Sequence, residues 1–428
     1  MNEIETTRYA QFCQFRKEVR GSQDYLIVGI DVAKDKHHAF LGTATGQSIL
    51  RRLIFDNNAS GFSTLVERAD QLMRQFNLKR VVYGLEPTGN YHKPLGSWLL
   101  DQKQMLVMVS SKLIADNRQT LDGRWDKNDT KDSANVADLL SQGKCQFYER
   151  ADDNLEQLRT LLLLRRRLKK DEIRLRLQIR NGLVCKHFPE LDRFWGQNSQ
   201  ENLAIVRWCL DPRQIAQMPF GEFVRRVTTC DRGLRQARRL RAIHEVAAES
   251  IGIAMSSADR YHARLLVGQL RLKQEQLSKV MERIEKACQG SVYYQLLLTI
   301  PGFGPYIASV VLARIGDPLR FSRRKQVLRL AGMDLSAKRS GKRSKDVVPV
   351  LSKKGNTELR YALYQAALTA SCRNDTFREL FTRYLSGREK EPGIRKKMRV
   401  KLAAKLLIVA WAMMRNQTQF NASLLLTQ

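Results

Sequence analysis

The chain lacks the cysteine spacing that would mark a metal or disulfide scaffold. Its seven cysteines, at 13, 145, 185, 209, 230, 288 and 372, are scattered and never form a CxxC pair. A structural zinc and a disulfide framework are therefore excluded, and a reducing cytoplasm fits. The six histidines supply no zinc site either, because the only close pair, His37 and His38, points to opposite faces of a strand. Long apolar runs are also missing. The longest, Ala403 to Met414, contains Lys405 and is flanked by Arg395-Lys396-Lys397 and Arg415. A membrane span needs about 20 apolar residues, so this run is expected to be a buried C-terminal helix. Met1-Asn2-Glu3-Ile4-Glu5 is no basic stretch leading into an apolar core, and no secretory signal is expected.

Acidic residues are scarce against basic ones: Asp and Glu number 43, Lys and Arg 74, and the formal net charge is +31. Solubility does not require such an excess. A polyanionic partner does, and nucleic acid fits best because phosphates are neutralised by distributed Lys and Arg. What is present otherwise belongs to a soluble globular protein: 43% hydrophobic residues and a mean hydropathy of -0.40. With 428 residues the chain can form two or three domains with cores of their own.

Residues 1–23 are polar and unpatterned and read as a flexible arm. Tyr25-Leu26-Ile27-Val28-Gly29-Ile30-Asp31 then reads as a strand buried on both faces and ending in a carboxylate. Asp31 either caps the strand end or ligates a metal, since a desolvated carboxylate needs a cation or a dense set of donors. Extended segments at 38–41 and 49–55 follow, then a helix over 61–76, a strand at 80–85, a helix over 92–100, a strand at 105–109 and a helix over 134–140. Three strands followed by alternating helix and strand predict a mixed sheet covered by helices, of the ribonuclease H type.

Beyond residue 150 the pattern turns helical. Leu161, Leu164, Leu168, Leu175, Ile179 and Leu183 recur at helical spacing among many arginines and lysines, and Leu266, Leu270, Leu277, Val280, Ile284 and Ala287 mark a second such helix. A long antiparallel pair or coiled coil with a basic outer face is expected. Plain amphipathic helices with solvated charges are the alternative. The near absence of acids among the bases of the first helix favours nucleic acid. Between the two helices, residues 192–258 read as a small helical insert.

The C-terminal region opens with Ile300-Pro301-Gly302-Phe303-Gly304-Pro305 before an apolar helix. That pattern suits a helix-hairpin-helix-like segment, whose glycines would let a DNA phosphate approach the backbone; an ordinary helix turn is the rival. A basic loop rich in glycine and serine, 336–345, and Ser352-Lys353-Lys354-Gly355-Asn356 follow.

Two more acid positions join Asp31. Glu86 follows the strand ending at Leu85, and Asp129 and Asp132 lie three apart at a helix start, on one face. Four acids from three distant places in one domain form a cage for hard divalent cations such as two Mg²⁺ ions. Capping and surface roles are the bland alternative.

These blocks carry a resemblance. Val28-Gly29-Ile30-Asp31-Val32-Ala33-Lys34, Leu85-Glu86-Pro87-Thr88-Gly89-Asn90-Tyr91 and Lys127-Asn128-Asp129-Thr130-Lys131-Asp132-Ser133-Ala134 resemble the DEDD motifs of insertion-sequence 110 family transposases, a superfamily that includes the Piv invertase. The stretch from Ile300 through Arg339-Ser340-Gly341 to Asn356 resembles that family's C-terminal transposase domain. Ser133 between Asp132 and Ala134, and the length of the insert, depart from the family pattern.

The resemblance implies a RuvC-like domain at 24–150, a helical or coiled-coil region at 151–290 with its insert at 192–258, and a transposase domain at 291–428. It implies an RNA-guided recombinase: a bridge RNA pairs with donor and target double-stranded DNA, Asp31, Glu86, Asp129 and Asp132 bind Mg²⁺, and a serine forms a covalent link to DNA. Ser340 is the expected nucleophile, with Ser344 and Ser352 as fallbacks. A homo-oligomer, a dimer or a dimer of dimers, is expected because the family pairs the acids of one protomer with the serine of another. The setting would be bacterial cytoplasm, at the nucleoid, with no membrane. Two alternatives stay open: a RuvC-like nuclease acting on branched DNA without a covalent intermediate, and a non-catalytic nucleic-acid-binding protein.

Overall fold

A strand can be apolar along its whole length only where both faces are covered, and β1 (Tyr25–Asp31) is buried from Tyr25 through Ile30. The computed structural model describes residues 8–87, 89–121, 129–148, 152–195, 200–208, 211–229, 233–336 and 349–426, apart from the side chains at 8, 9, 119–121, 129, 130, 424 and 426. It forms two compact units: Met1–Asp152 with Asp317–Val327, and Asp153–Gly316 with Leu328–Gln428.

In the first unit the elements run α1 (Arg8–Val19), β1, β2 (Lys36–Thr43), β3 (Ser48–Asp56), α2 (Ala59–Gln75), β4 (Arg80–Leu85), α3 (His92–Asp101), β5 (Leu106–Met108), α4 (Ser111–Leu121), α5 (Asp129–Ser141) and β6 (Gln146–Phe147). The strands make one mixed sheet in the order β3-β2-β1-β4-β5-β6. β1 pairs antiparallel with β2 and parallel with β4, and β4 is parallel to β5. Alternation divides β1 between two cores. Leu26, Val28 and Ile30 join Phe62, Leu65 and Leu72 of α2 and Leu95 and Leu99 of α3. On the other face Tyr25 and Ile27 join Phe15 and Val19 of α1, Ile114 of α4, and Val136, Ala137 and Leu140 of α5.

That second core corrects the expectation of an arm over residues 1–23. Residues 8–19 are helical, and Phe15 and Val19 are buried at 4% and 0% exposure. Two apolar residues four apart are one helical face, and the charges around them hid it. The helix expected over 134–140 begins earlier, at Asp129, while α4 and β6 had no expected counterpart.

The second unit contains α6 (Asp153–Gln178), a π-helical turn over Ile179–Val184, α7 (Cys185–His187), α8 (Gln200–Trp208), α9 (Pro212–Gln217), α10 (Phe220–Val227), α11 (Leu234–Ala248) and α12 (Ser257–Cys288). α6 and α12 run antiparallel: the Asp153–Leu161 end of α6 faces Arg283 and Ala287, and its Lys170–Gln178 end faces His262. The insert is a helical cluster whose Leu203, Ile205, Ile215, Phe223, Leu240 and Ile243 pack with Leu266 and Leu270 of α12. Glu172 is buried within α6, and Lys169 and Arg176 bond it at 2.5 and 2.9 Å. Burial pushes that carboxyl upward, but the two cations outweigh it and its pKa is lowered.

The rest is α13 (Val292–Leu298), α14 (Pro305–Ile315), α15 (Arg324–Ala331), β7 (Leu335–Ser336), β8 (Val350–Leu351), α16 (Thr357–Arg373), α17 (Asp375–Leu385), α18 (Ile394–Asn416) and α19 (Ser423–Leu426). α18 takes up the longest apolar run and buries Leu402, Leu406, Leu407, Ala410 and Met414. Among the described residues no helix is long and apolar enough to cross a membrane.

Candidate active site

Asp31 is the last residue of β1, and Glu86 follows the last residue of β4. The two strands are parallel with Gly29 beside Gly84 and Ile30 beside Leu85, so the next step of the register sets Asp31 beside Glu86. Both acids are half-buried. A Cβ on Gly29 would meet Ser133 O at 2.3 Å and Ala137 N at 2.5 Å, and one on Gly84 would meet Leu140 at 2.9 Å. Both glycines therefore face α5, and alternation turns Asp31 and Glu86, two residues further on, to the same side. His38 stands directly opposite Asp31 in the β1/β2 register.

α5 brings Asp132 to that side of the sheet. Asp132 immediately precedes the turn that covers Gly29 and is 3% exposed. Its partner is Arg118 of α4, with Nη2 2.5 Å from Oδ1. The α4/α5 interface has its own polar lock: Asn117 Nδ2 donates to Asn135 Oδ1 at 2.7 Å and to Asp138 Oδ2 at 2.8 Å, while Asn135 Nδ2 donates to Ile114 O at 2.8 Å. Asp129 is the first residue of α5, and its side chain lies outside the described residues.

On the opposite face of the sheet His37 is fully buried against Phe55 and Phe62, with ring centroids 5.2 and 6.1 Å away. Its Nδ1 accepts from Ala33 N at 3.2 Å, tying down the turn that leaves Asp31. Burial pushes the imidazole pKa down from its ordinary value.

Asp31, Glu86 and Asp132 are hard oxygen donors delivered to one side of the sheet. Asp132 already holds a cation, so the place accepts positive charge, and the donor set fits a divalent ion of the oxygen-seeking class. Among the described residues no three His, Cys, Asp or Glu side chains form a metal-binding group.

In the second unit Ser352 closes the base of the short β7/β8 hairpin. Its Oγ donates to Asp334 Oδ1 at 2.5 Å and its N to Asp334 O at 2.9 Å. Ser340 and Ser344, and most of the basic loop, lie between β7 and β8 outside the described residues. The expectation for Gly302 is corrected. Its φ is +88°, and a Cβ there would meet Ala366 O of α16 at 2.5 Å, so this glycine serves internal packing. Around Gly304 a Cβ would meet nothing within 4 Å.

Arg118 and His38 were not among the expected site residues. Strand alternation could have flagged His38, because it lies opposite the end of β1. One arginine among 74 basic residues carried no signal.

Comparison with known proteins bears on both regions. A transposase family model of the DEDD type, named for IS110, matches residues 28–189. A second model, described as "Transposase IS116/IS110/IS902 family", matches residues 294–382. The chain is 23% identical over 417 residues to "Insertion element IS116 uncharacterized 44.8 kDa protein" of Streptomyces clavuligerus, covering 95% of this chain and 98% of that protein. It is 22% identical over 358 residues to "Transposase for insertion sequence element IS1111A" of Coxiella burnetii, covering 82% of this chain and 80% of that protein. The first matched stretch takes in all four acids, and the second takes in Gly302, Gly304 and the three serines.

Proposed function

The chain belongs to the IS110 family of insertion-sequence transposases, enzymes that cut and rejoin DNA, and on that premise we propose that its own acids and one serine carry out strand exchange. The observation that carries this reading is the pairing of Asp31 with Glu86 at the ends of adjacent parallel strands, on the face that α5 covers with Asp132. The sheet order, three antiparallel strands and then parallel β4 and β5, supports a ribonuclease H-like, RuvC-like domain.

Asp31, Glu86, Asp129 and Asp132 would hold Mg²⁺. Bound there, it would stabilise charge on the attacking and leaving oxygens of a phosphodiester. The serine oxygen forms a bond to phosphorus while the bond to one deoxyribose oxygen breaks. The serine proton passes through a base to solvent, and the leaving oxygen takes a proton from solvent and departs as a free hydroxyl on the cut strand. The link keeps the energy of the broken bond, so the reverse attack by a DNA hydroxyl rejoins a strand. Ser340 is the proposed nucleophile. Ser344 is an alternative, and so is Ser352, although its hydroxyl is engaged with Asp334.

Acids and serine come from opposite ends of the chain, which accords with an assembly that pairs them across protomers. The α6/α12 pair is read as the coiled coil linking the two domains, the α13/α14 turn as a phosphate contact, and a bridge RNA as the source of sequence choice. The test is to recover RNA that copurifies with the protein and supply it with donor and target DNA. A protein–DNA adduct mapped to one serine by mass spectrometry, lost in Ser340→Ala and in Asp31→Asn, is the expected result. Cleavage without any adduct that persists in Ser340→Ala would leave a metal-dependent nuclease instead.

A further inference from the structure

A carboxylate as buried as Asp132, at 3% exposure, has to be neutralised by a neighbour. Arg118 supplies the charge from another helix, and its own side chain keeps 23% exposure. Two features set this pair apart from a structural ion pair. Asn117, Asn135 and Asp138 already bind α4 to α5, so Arg118 is not needed to dock the helices. The guanidinium is also under-used, because Arg118 Nε is buried and, among the described residues, has no hydrogen-bond partner. A buried N–H donor left without an acceptor destabilises the fold, and an anionic oxygen brought beside it would relieve that cost.

We propose that Arg118 is a place-holding cation: it occupies Asp132 until a divalent ion takes that carboxylate, and it then turns its guanidinium onto the DNA phosphate being cut. The inference rests on the reading of Asp31, Glu86, Asp129 and Asp132 as divalent-ion ligands. A guanidinium and a metal ion cannot share one buried carboxylate without like-charge repulsion, so ion entry releases the arginine. The nearest new anion is the phosphodiester, whose two non-bridging oxygens match the fork of Nε and Nη.

The test uses the full-length protein, Mn²⁺ as the probe, and calorimetric titration beside single-turnover DNA cleavage at saturating Mn²⁺. Arg118→Gln removes the competitor, so Mn²⁺ affinity rises by about tenfold or more, while cleavage falls by about 10²-fold through loss of a phosphate donor. Arg118→Lys keeps a charge without the fork, so Mn²⁺ affinity stays near wild type and cleavage still falls. If Arg118→Gln does not fold, Arg118→Lys decides alone: reduced cleavage at unchanged affinity supports the proposal, and unchanged cleavage overturns it. Unchanged or weaker Mn²⁺ binding by a folded Arg118→Gln overturns it as well, leaving a structural pair. Equal Mn²⁺ binding by wild type and Asp132→Asn would instead overturn the metal reading beneath it.

Discussion

His37 makes the turn beside Asp31 sensitive to pH. Its Nδ1 accepts from Ala33 N, and burial lowers its pKa, so the folded protein holds the ring neutral where the unfolded chain, with a pKa near 6.5, would protonate it. The unfolded state therefore binds more protons below that value. The stability His37 contributes is complete above the unfolded pKa and is lost as pH falls toward the lowered folded one, by at most about 1.4 kcal/mol per pH unit. Melting at pH 7.5 and 5.5 should show a drop that His37→Asn, which keeps an acceptor but cannot titrate, largely removes. Parallel losses in both proteins would assign the drop to other groups. At this scale the acids were legible because a carboxylate ending an apolar run is costly and conspicuous. Arg118 was not, because an arginine acquires its meaning only from the buried acid it faces.

Elements, unlike single residues, were legible wherever periodicity was clean. β1, β4, α2 and α3 lie close to their expected positions, whereas α1 carries few buried apolar residues among its charges and β6 has only two residues, so both depend on packing from other segments. Glycines were the least legible feature, since the same Gly-x-Gly spelling covers opposite uses. Gly302 has φ +88° and faces the backbone of α16, so Gly302→Ala combines left-handed strain with overpacking and should cost about 2–4 kcal/mol of unfolding free energy. Gly304 has extended backbone and open space, so Gly304→Ala should stay within about 0.5 kcal/mol of wild type. Chemical denaturation of the two variants checks this. Equal costs would mean that the turn, and not the approach to α16, fixes both positions. A drop in DNA affinity for Gly304→Ala alone would accord with phosphate contact at the open glycine.

For the molecule as a whole, the charge of +31 implies binding governed by counterion release, in which log K falls linearly with log salt at about 0.9 per phosphate contacted. α6 locates part of that term. Arg166, Arg167 and Lys170 are exposed, and among the described residues none of them is paired with an acid. The same surface also carries Leu163, Leu164, Ile173 and Leu177, each 42–49% exposed, and such residues suit a protein contact better than a phosphate. Charge reversal is too blunt to separate the two uses, because it would repel DNA from anywhere nearby. Neutralising all three cations to Gln is cleaner. If they touch phosphates, the salt slope for duplex DNA should become shallower by about 2.7, while sedimentation of the free protein stays unchanged. A slope identical to wild type, with a smaller sedimenting species, would assign the stripe to self-association and move the nucleic-acid surface elsewhere.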